Sequence, residues 1–453
     1  MKFYLLILVI VMSLIPIHAQ NFDQKWNEIK QLEAQSLPKS ALEVVNQIYQ
    51  EALDTKNSPE LIKSIIFQLK YEITIDSSQS FERILEIEKL AETNGNKVEQ
   101  ALLYSFLAGL YRNFHVANSY YINQRTAIVG YVPSDINEWS GNIFIQKITD
   151  FINLSLLPEK ELQNTNILDY KAILIEGNAS RNIRPTLYDF LVHNGINILD
   201  ELIRNYQIQD YFLQTKIFNK DYFLPAEKFI GLKIDADTYD LAPQILKLYQ
   251  QLLAFHLKEK NEVALMMIDF ERLDFVRDNS QREETEIDYL NALIHMKKQY
   301  AKVDFCAEIL CKEANYYFQK ANRDRKNYSE QAKKAYDICL EGIEKYPNYE
   351  RIAILKNLLN EIVLKTLFVQ NENVVYPGEE LNLKIKYKNL DKLTVEIYKI
   401  DAPVSIYRQD WERKGQYKNK GTLIHKQDVN LINEFPYLNS DTTIRIPMKE
   451  IGN

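Results

Sequence analysis

Apolar residues recur at helical spacing over most of the chain. One stripe is formed by Ala41, Val44, Val45, Ile48, Tyr49, Ala52 and Leu53. A stripe with this period is typical of an amphipathic helix that buries one face. The same spacing predicts helices at 242–257, 262–276, 284–298, 303–322, 329–345 and 349–364, after a more broken stretch at 158–237. The pattern predicts a mainly α-helical protein.

The apolar period changes from helical to alternating near residue 366. Leu381, Leu383, Ile385 and Tyr387 alternate with Asn382, Lys384, Lys386 and Lys388. A period of two predicts a strand with one buried face and one solvent-facing side. Further strands are predicted at 367–369, 393–398, 427–431 and 443–446, with a hairpin turning at Asn389-Leu390-Asp391.

The helical region has one local signature of a repeat. Ala335, Cys339, Gly342 and Pro347 are spaced as in the back half of a tetratricopeptide (TPR) unit. Small residues at these positions allow two helices to pack closely, and a proline ends the second. We therefore expect a TPR-like, right-handed helical array.

The change of period divides the chain into three expected parts. These are a signal peptide at 1–19, a helical domain at 20–365 and a β-domain at 366–453. A two-sheet sandwich needs about seven strands and roughly 100 residues, so the β-domain is expected to be incomplete, with an unpaired sheet edge.

The N-terminus has the features of a secretory signal. Lys2 is followed by an apolar run from Tyr4 to Leu14, and Ile17-His18-Ala19 fits a cleavage site. The prediction is an exported protein, periplasmic or extracellular, soluble after cleavage near Ala19 and in contact with a membrane only through its signal. An uncleaved anchor is the alternative.

Composition and charge restrict the class of protein. The chain is 46% hydrophobic and 26% charged, with a net charge of −7, which fits a globular protein. No clustered basic face is visible, so nucleic-acid binding is not expected. Cys306 and Cys311 point to different helix faces and should not pair, whereas Cys339 could reach one of them if two helices are adjacent. Buried thiols are the favoured interpretation.

Recognisable catalytic and metal-binding patterns are missing from the sequence. There is no His-Glu-x-x-His motif, phosphate loop or nucleophile elbow. Asp189 and His193, four residues apart, could touch, and a structural contact is favoured over a catalytic dyad. The acidic pair Asp269 and Glu271 is assigned to a solvated helix face. We predict no catalytic, cofactor-binding or metal-binding residues, no cofactor and no enzymatic activity.

Three segments of the chain resemble the large α2-macroglobulin-like proteins of Bacteroidetes-type bacteria. They are an exported N-terminus followed by Trp26 and Leu37-Pro38-Lys39-Ser40-Ala41-Leu42; Pro185-Thr186-Leu187-Tyr188-Asp189-Phe190-Leu191; and Tyr376-Pro377-Gly378 with Ile385-Lys386-Tyr387-Lys388-Asn389-Leu390, Leu393 and Ile397-Tyr398. The third segment resembles the opening of a macroglobulin (MG) domain.

The resemblance implies a role in protease inhibition. In that family a protease cleaves a bait region in the inhibitor. The body of the inhibitor then collapses around the protease, and a Cys-x-x-Gln thioester often captures the protease. No bait segment is identifiable here, and none of the three cysteines has Gln three residues later. The chain is therefore expected to be the N-terminal scaffold or docking part of such an endopeptidase inhibitor, meeting proteases through missing C-terminal regions.

Two other functions remain open from the sequence. The chain could be a free-standing exported TPR-like protein that binds a peptide, a glycan or an envelope partner. An envelope hydrolase has less support and would depend on His193. The sequence does not specify the oligomeric state.

Overall fold

The computed structural model describes residues 22–126, 130–175, 177, 180–206, 219–235, 240–370, 375–376, 378–399 and 422–448. Over these residues the protein is mainly α-helical, with antiparallel strands toward the C-terminus. The predicted fold class is confirmed at this level. The predicted signal peptide at 1–19 lies outside the described residues.

Eighteen α-helices lie in the described residues. They are α1 (22–34), α2 (Pro38–Asp54), α3 (Ser58–Ile75), α4 (Ser80–Thr93), α5 (Lys97–Ala117), α6 (Ser119–Ile122), α7 (Gly141–Leu156), α8 (Glu159–Asn164), α9 (Ser180–Ile183), α10 (Leu187–Tyr206), α11 (Ala226–Phe229), α12 (Leu241–Glu259), α13 (Glu262–Asn279), α14 (Thr285–Gln299), α15 (Cys306–Arg323), α16 (Arg325–Tyr328), α17 (Glu330–Lys345) and α18 (Ala353–Val363). Short 3-10 helices occur at Ser77–Gln79, Ile136–Glu138, Ile167–Tyr170 and Lys220–Phe223.

The predicted helices between residues 242 and 364 are all present. The stretch predicted as broken differs, because it contains the 20-residue helix α10. This helix begins at Leu187, just after Pro185 and Thr186, so the proline marks its beginning rather than a loop. No described helix has both the length and the apolar character that crossing a membrane requires.

The chain folds into two compact units, one ending at Tyr289 and one beginning at Leu290. The second unit holds α15–α18 together with the strands. The change from helix to strand occurs where the sequence predicted it, since α18 ends at Val363 and the first strand begins at Thr366. A domain boundary at 365/366 stays a prediction.

Helices α7, α10 and α12 approach one another closely in the first unit. A Cβ atom added to Gly195 of α10 would lie 2.9 Å from a side-chain carbon of Ile152 and 3.6 Å from one of Leu248. Both neighbours are buried. The missing side chain at Gly195 thus lets α10 lie close to α7 and α12, the arrangement that positions the polar network described below.

The helices of the second unit pack through the small residues that suggested a repeat. Ala335, Cys339 and Gly342 are buried on α17. A Cβ on Gly342 would lie 2.6 Å from Leu355 Cδ1 of α18 and 3.2 Å from Leu310 Cδ1 of α15. Close packing at these small residues therefore agrees with the sequence-based reasoning, whereas a TPR-like array stays a prediction.

Five antiparallel strands form two sheets in the described residues. β1 (Thr366–Gln370), β2 (Glu380–Lys388) and β5 (Ser440–Pro447) form one sheet in the order β1-β2-β5. β3 (Lys392–Lys399) and β4 (Thr422–Asn430) form the other. The predicted hairpin between β2 and β3 is therefore wrong, because these strands belong to different sheets.

The turn after β2 carries the chain from one sheet to the other. Asn389 has a left-handed backbone with φ 54°, and Leu431 N donates to Asp391 O just beyond it. Apolar side chains of both sheets then pack around one cluster, formed by the buried residues Ile385, Tyr387, Leu431, Ile444 and Ile446. Burying one face of each sheet in this cluster outweighs the local turn signal.

The end of β2 caps α18. Lys388 Nζ donates to Glu361 O at 2.6 Å, and Asn389 Nδ2 donates to Ile362 O at 3.0 Å and Leu364 O at 3.3 Å. Lys388 was predicted on the solvent face of β2, yet it is only 8% exposed. Its burial follows from this contact, because a cation at a helix C-terminus is favoured by the helix dipole. Burial also lowers the pKa of the Lys388 ammonium.

Candidate functional site

A buried polar network joins α10, α12 and α13 in the first unit. It starts from a capping box at the N-terminus of α10. Thr186 N and Thr186 Oγ1 donate to Asp189 Oδ2 at 3.0 and 2.7 Å, and Asp189 N donates to Thr186 Oγ1 at 3.2 Å. The box satisfies N–H groups that have no partner within the helix. It also holds the Asp189 carboxylate inside the unit, where the side chain is fully buried.

The second oxygen of Asp189 contacts a histidine of α12. His256 Nε2 lies 2.6 Å from Asp189 Oδ1, and the His256 side chain is 1% exposed. His256 Nδ1 has no hydrogen-bond partner among the described residues. A neutral imidazole with its hydrogen on Nε2 satisfies this geometry, because Nδ1 then carries no hydrogen that needs an acceptor.

His193 links α10 to α13. Its Nδ1 lies 2.7 Å from the backbone oxygen of Asp189, which can only accept, so Nδ1 carries a hydrogen. Its Nε2 lies 3.1 Å from Glu271 Oε2. The other oxygen, Glu271 Oε1, accepts from Arg184 Nη2 at 2.9 Å. The His193–Glu271 contact needs one proton between the two side chains, and an imidazolium beside a carboxylate supplies it.

The pKa of Glu271 agrees with this charge assignment. Burial by itself raises the pKa of the carboxyl group. The hydrogen bonds from His193 and Arg184 and the charges of both residues together outweigh this effect and hold the pKa below its ordinary value. Glu271 is therefore held in its carboxylate form.

Two predictions from the sequence concern residues of this network. Asp189 and His193 do touch, but His193 contacts the backbone oxygen of Asp189. The Asp189 carboxylate forms its hydrogen bond with His256 instead. Assigning Asp269 to a solvated face was wrong, and Glu271, with a side chain 29% exposed, is only partly solvated. Asp269 is 3% exposed and pairs with the fully buried Arg272 at 2.6 Å. Arg272 also donates to Leu224 O at 3.0 Å and lies over the Phe229 ring, so it fixes the segment before α12.

An open cleft of about 500 Å³ lies beside Glu271. Side chains of α10, α12 and α13 line it, together with Arg184. Those relevant to its chemistry are Arg184, Asp200, Arg204, Tyr249, Glu271, Asp274 and Asp278. The His193–Glu271–Arg184 contacts thus fix one wall of the cleft.

The arrangement lacks the geometry of a nucleophile and a base. Within the described residues, neither imidazole has a serine, threonine or cysteine side chain at hydrogen-bond distance, and both nitrogens of His193 are already engaged. The described residues also hold no group of three or more His, Cys, Asp or Glu placed to bind a metal ion. The absence of enzymatic activity stays a prediction.

The three cysteines lie in the second unit as free thiols, Cys306 and Cys339 buried and Cys311 partly so. Burial raises the pKa of Cys306, of Cys311 to about 11 and of Cys339 to about 12. A thiol that stays protonated at neutral pH is a poor nucleophile.

Sequence reasoning missed His256, Arg184 and Tyr249 as members of the site. No local spacing marks them, since His256 lies 67 residues from Asp189 and Glu271 lies 78 residues from His193. In comparisons with known proteins, no protein-family model matched the chain, and no curated protein matched it.

Proposed function

We propose that this chain is the N-terminal, non-catalytic part of an exported α2-macroglobulin-like endopeptidase inhibitor. Residues 20–365 form a TPR-like helical scaffold, and residues 366–453 begin an MG-type β-sandwich. Proteases are met through regions that follow this chain, which itself supplies no bait segment and no thioester.

The cap that β2 places on α18 is the observation that supports this proposal best. Lys388 and Asn389 lie within the segment that resembles an MG-domain opening, and they bond to carbonyl groups at the end of α18. A joint held by side-chain hydrogen bonds transmits position better than a flexible linker does. A scaffold that presents a β-domain in a fixed orientation needs such a joint.

Residues 185–191, the second segment that resembles α2-macroglobulin-like proteins, support the same proposal. Thr186 and Asp189 close the capping box of α10, and Asp189 holds His256 of α12. The segment therefore orders the scaffold, and Thr186, Asp189 and His256 are engaged in these structural contacts.

A protease-protection assay tests the proposal. The native protein is purified from its host and mixed with trypsin, and cleavage of a protein substrate is compared with cleavage of a small peptide substrate. A trap encloses the protease, so cleavage of the large substrate should fall while cleavage of the small one continues. With the 453-residue chain alone, trypsin should cleave both substrates at the same rate as without it.

Two results would overturn the proposal. One is a native protein that leaves cleavage of the large substrate unchanged at excess over trypsin. The other is inhibition by the 453-residue chain alone, which would place an inhibitory site within the scaffold. The native protein after heat denaturation is the control, because it can lower cleavage of the large substrate only by being digested by trypsin itself.

The cleft in the first unit favours a second candidate, a free-standing exported helical protein that binds a peptide, a glycan or an envelope partner. This candidate predicts that the native chain ends close to residue 453. It also predicts that the chain retrieves a partner from envelope extract without any protease-protecting activity.

A further inference from the structure

We propose that the cleft between α10, α12 and α13 binds the cationic side chain of a basic peptide, with Tyr249, Asp274 and Asp278 as its main contacts. The inference goes beyond the proposed scaffold function and does not depend on it, because it requires neither a protease nor an inhibitory region.

Tyr249 is the observation that points to a ligand. Tyr249 is 5% exposed and lines the cleft, and no hydrogen bond joins its hydroxyl to another described residue. The hydroxyl of a largely buried tyrosine normally bonds to a polar group or to water. The charged groups that act on this hydroxyl are Glu271, Asp200, Arg184 and Asp274, which also line the cleft. The hydroxyl group is therefore placed to bond to whatever enters.

The lining has more negative than positive charge. Asp200, Glu271, Asp274 and Asp278 supply four carboxylates, against the guanidinium groups of Arg184 and Arg204. Both arginines already have carboxylate partners, Glu271 and Asp200 respectively. An anionic ligand would have to displace those contacts, whereas a cation meets carboxylates that can accept further bonds.

The acids farther along α13 have partners outside the lining, since Tyr289 Oη donates to Asp274 Oδ1 and Arg277 contacts both Asp274 and Asp278. Arg277 Nη2 lies 2.7 Å from Asp278 Oδ1, and Arg277 Nη1 lies 3.9 Å from Asp274 Oδ1. The Asp278 side chain is still 61% exposed. Its second oxygen can therefore accept from an incoming guanidinium or ammonium group while the contact with Arg277 remains.

The size of the cleft selects a side chain rather than a bare ion. A volume of about 500 Å³ lies within the range of small-molecule sites. The cleft is open on one side, which suits a side chain projecting from a longer peptide. Phe275 and Tyr249, whose ring centroids are 6.1 Å apart, provide apolar surface for the aliphatic part of such a side chain.

The test uses the whole 453-residue chain and a pair of probes that differ in charge. The probes are N-acetyl-arginine methylamide and its citrulline analogue, in which a neutral urea replaces the guanidinium. Isothermal titration calorimetry should show saturable 1:1 binding of the arginine probe. We expect binding of the citrulline probe to be at least about tenfold weaker.

Two variants localise the binding. Tyr249→Phe removes only a hydroxyl group without a partner, so the melting temperature should stay constant while affinity falls by about 3- to 10-fold. Asp278→Asn should weaken binding to a similar extent. Asp337→Asn is the matched control, because this exposed aspartate on α17 also pairs with a basic residue, Lys333, and its loss changes net charge equally.

The proposal is overturned if the arginine probe shows no saturable binding, or if the citrulline probe binds equally well. It is also overturned if Tyr249→Phe and Asp278→Asn both bind like the wild type, since binding would then occur elsewhere. Equal weakening by Asp337→Asn would reveal a general charge effect and would likewise contradict the site.

Discussion

Replacing Asn389 tests whether the end of β2 stabilises α18. Asn389 Nδ2 donates to two carbonyl groups, at 3.0 Å to Ile362 and at 3.3 Å to Leu364. Ile362 is fully buried, whereas Leu364 is 55% exposed, so water can replace only the second bond easily. Loss of both bonds should reduce the stability of the last turn of α18 by about 1–2 kcal/mol.

The backbone conformation at Asn389 limits which substitutions remove the hydrogen bonds without adding strain. Its φ of 54° lies in the left-handed region, which glycine adopts without strain. Asn389→Gly therefore removes the hydrogen bonds alone. Asn389→Asp keeps a residue tolerated in this conformation but places a carboxylate against carbonyl groups at the negative end of the helix. The added repulsion is about 0.3–1 kcal/mol.

Hydrogen exchange followed by mass spectrometry measures this local stability. Protection of amides in the peptide covering α18 should fall about 5- to 30-fold in Asn389→Gly, and a further 2- to 5-fold in Asn389→Asp. Peptides from α2, in the other compact unit, serve as the internal control. Unchanged protection of α18 in Asn389→Gly, or equal effects of Gly and Asp, would refute the capping role.

Three further changes test the packing and the polar network. Glu271→Gln should lower the free energy of unfolding at pH 7 by about 1–3 kcal/mol. Because the folded pKa of Glu271 lies below its ordinary value of 4.5, its contribution is full above that pH and is lost as the pH falls through the folded pKa. Urea titrations in which the effect of Glu271→Gln does not shrink as the pH is lowered below 4.5 would contradict this. Gly342→Ala should destabilise by about 1–2 kcal/mol, since its Cβ would lie 2.6 Å from a buried leucine methyl, whereas calorimetry should show Gly109→Ala, in open space, to be neutral or stabilising by up to about 1 kcal/mol. Arg272→Met should cost about 3–5 kcal/mol in urea unfolding by leaving Asp269 buried without its cation, and a loss below about 1 kcal/mol would refute that account.

The helices were the most predictable part of the fold. Long amphipathic segments such as α12 and α17 carry their burial pattern in local sequence, because one face must always meet the core. α10 was missed since Pro185 suggested a break. The Thr186-x-x-Asp189 spacing after it is a capping signal that could have located the start of the helix.

Strand partners were less predictable than the strands themselves. All five strands appeared near their predicted positions, but β2 pairs with β5 rather than with β3. The register joins Tyr387 to Ser440 and Leu381 to Ile446, far apart in sequence. A local turn signal at residues 389–391 contains no information about such distant partners.

The polar site was predictable only in its local part. Spacing along one helix placed Asp189 near His193, because residues four apart share a helix face. The contacts that define the network come from α12 and α13. His256, Glu271 and Tyr249 reach the site through packing of separate helices, and nothing in their own neighbourhoods marks them as partners.

The most direct test of the proposed function is the extent and composition of the native chain. Antibodies against residues 22–126 would capture the protein from its host for intact-mass measurement and peptide sequencing. The proposal predicts a chain much longer than 453 residues, with strand-rich MG-type repeats and a bait region in its later part. A native chain that ends close to residue 453 would contradict it and would favour a free-standing binding protein.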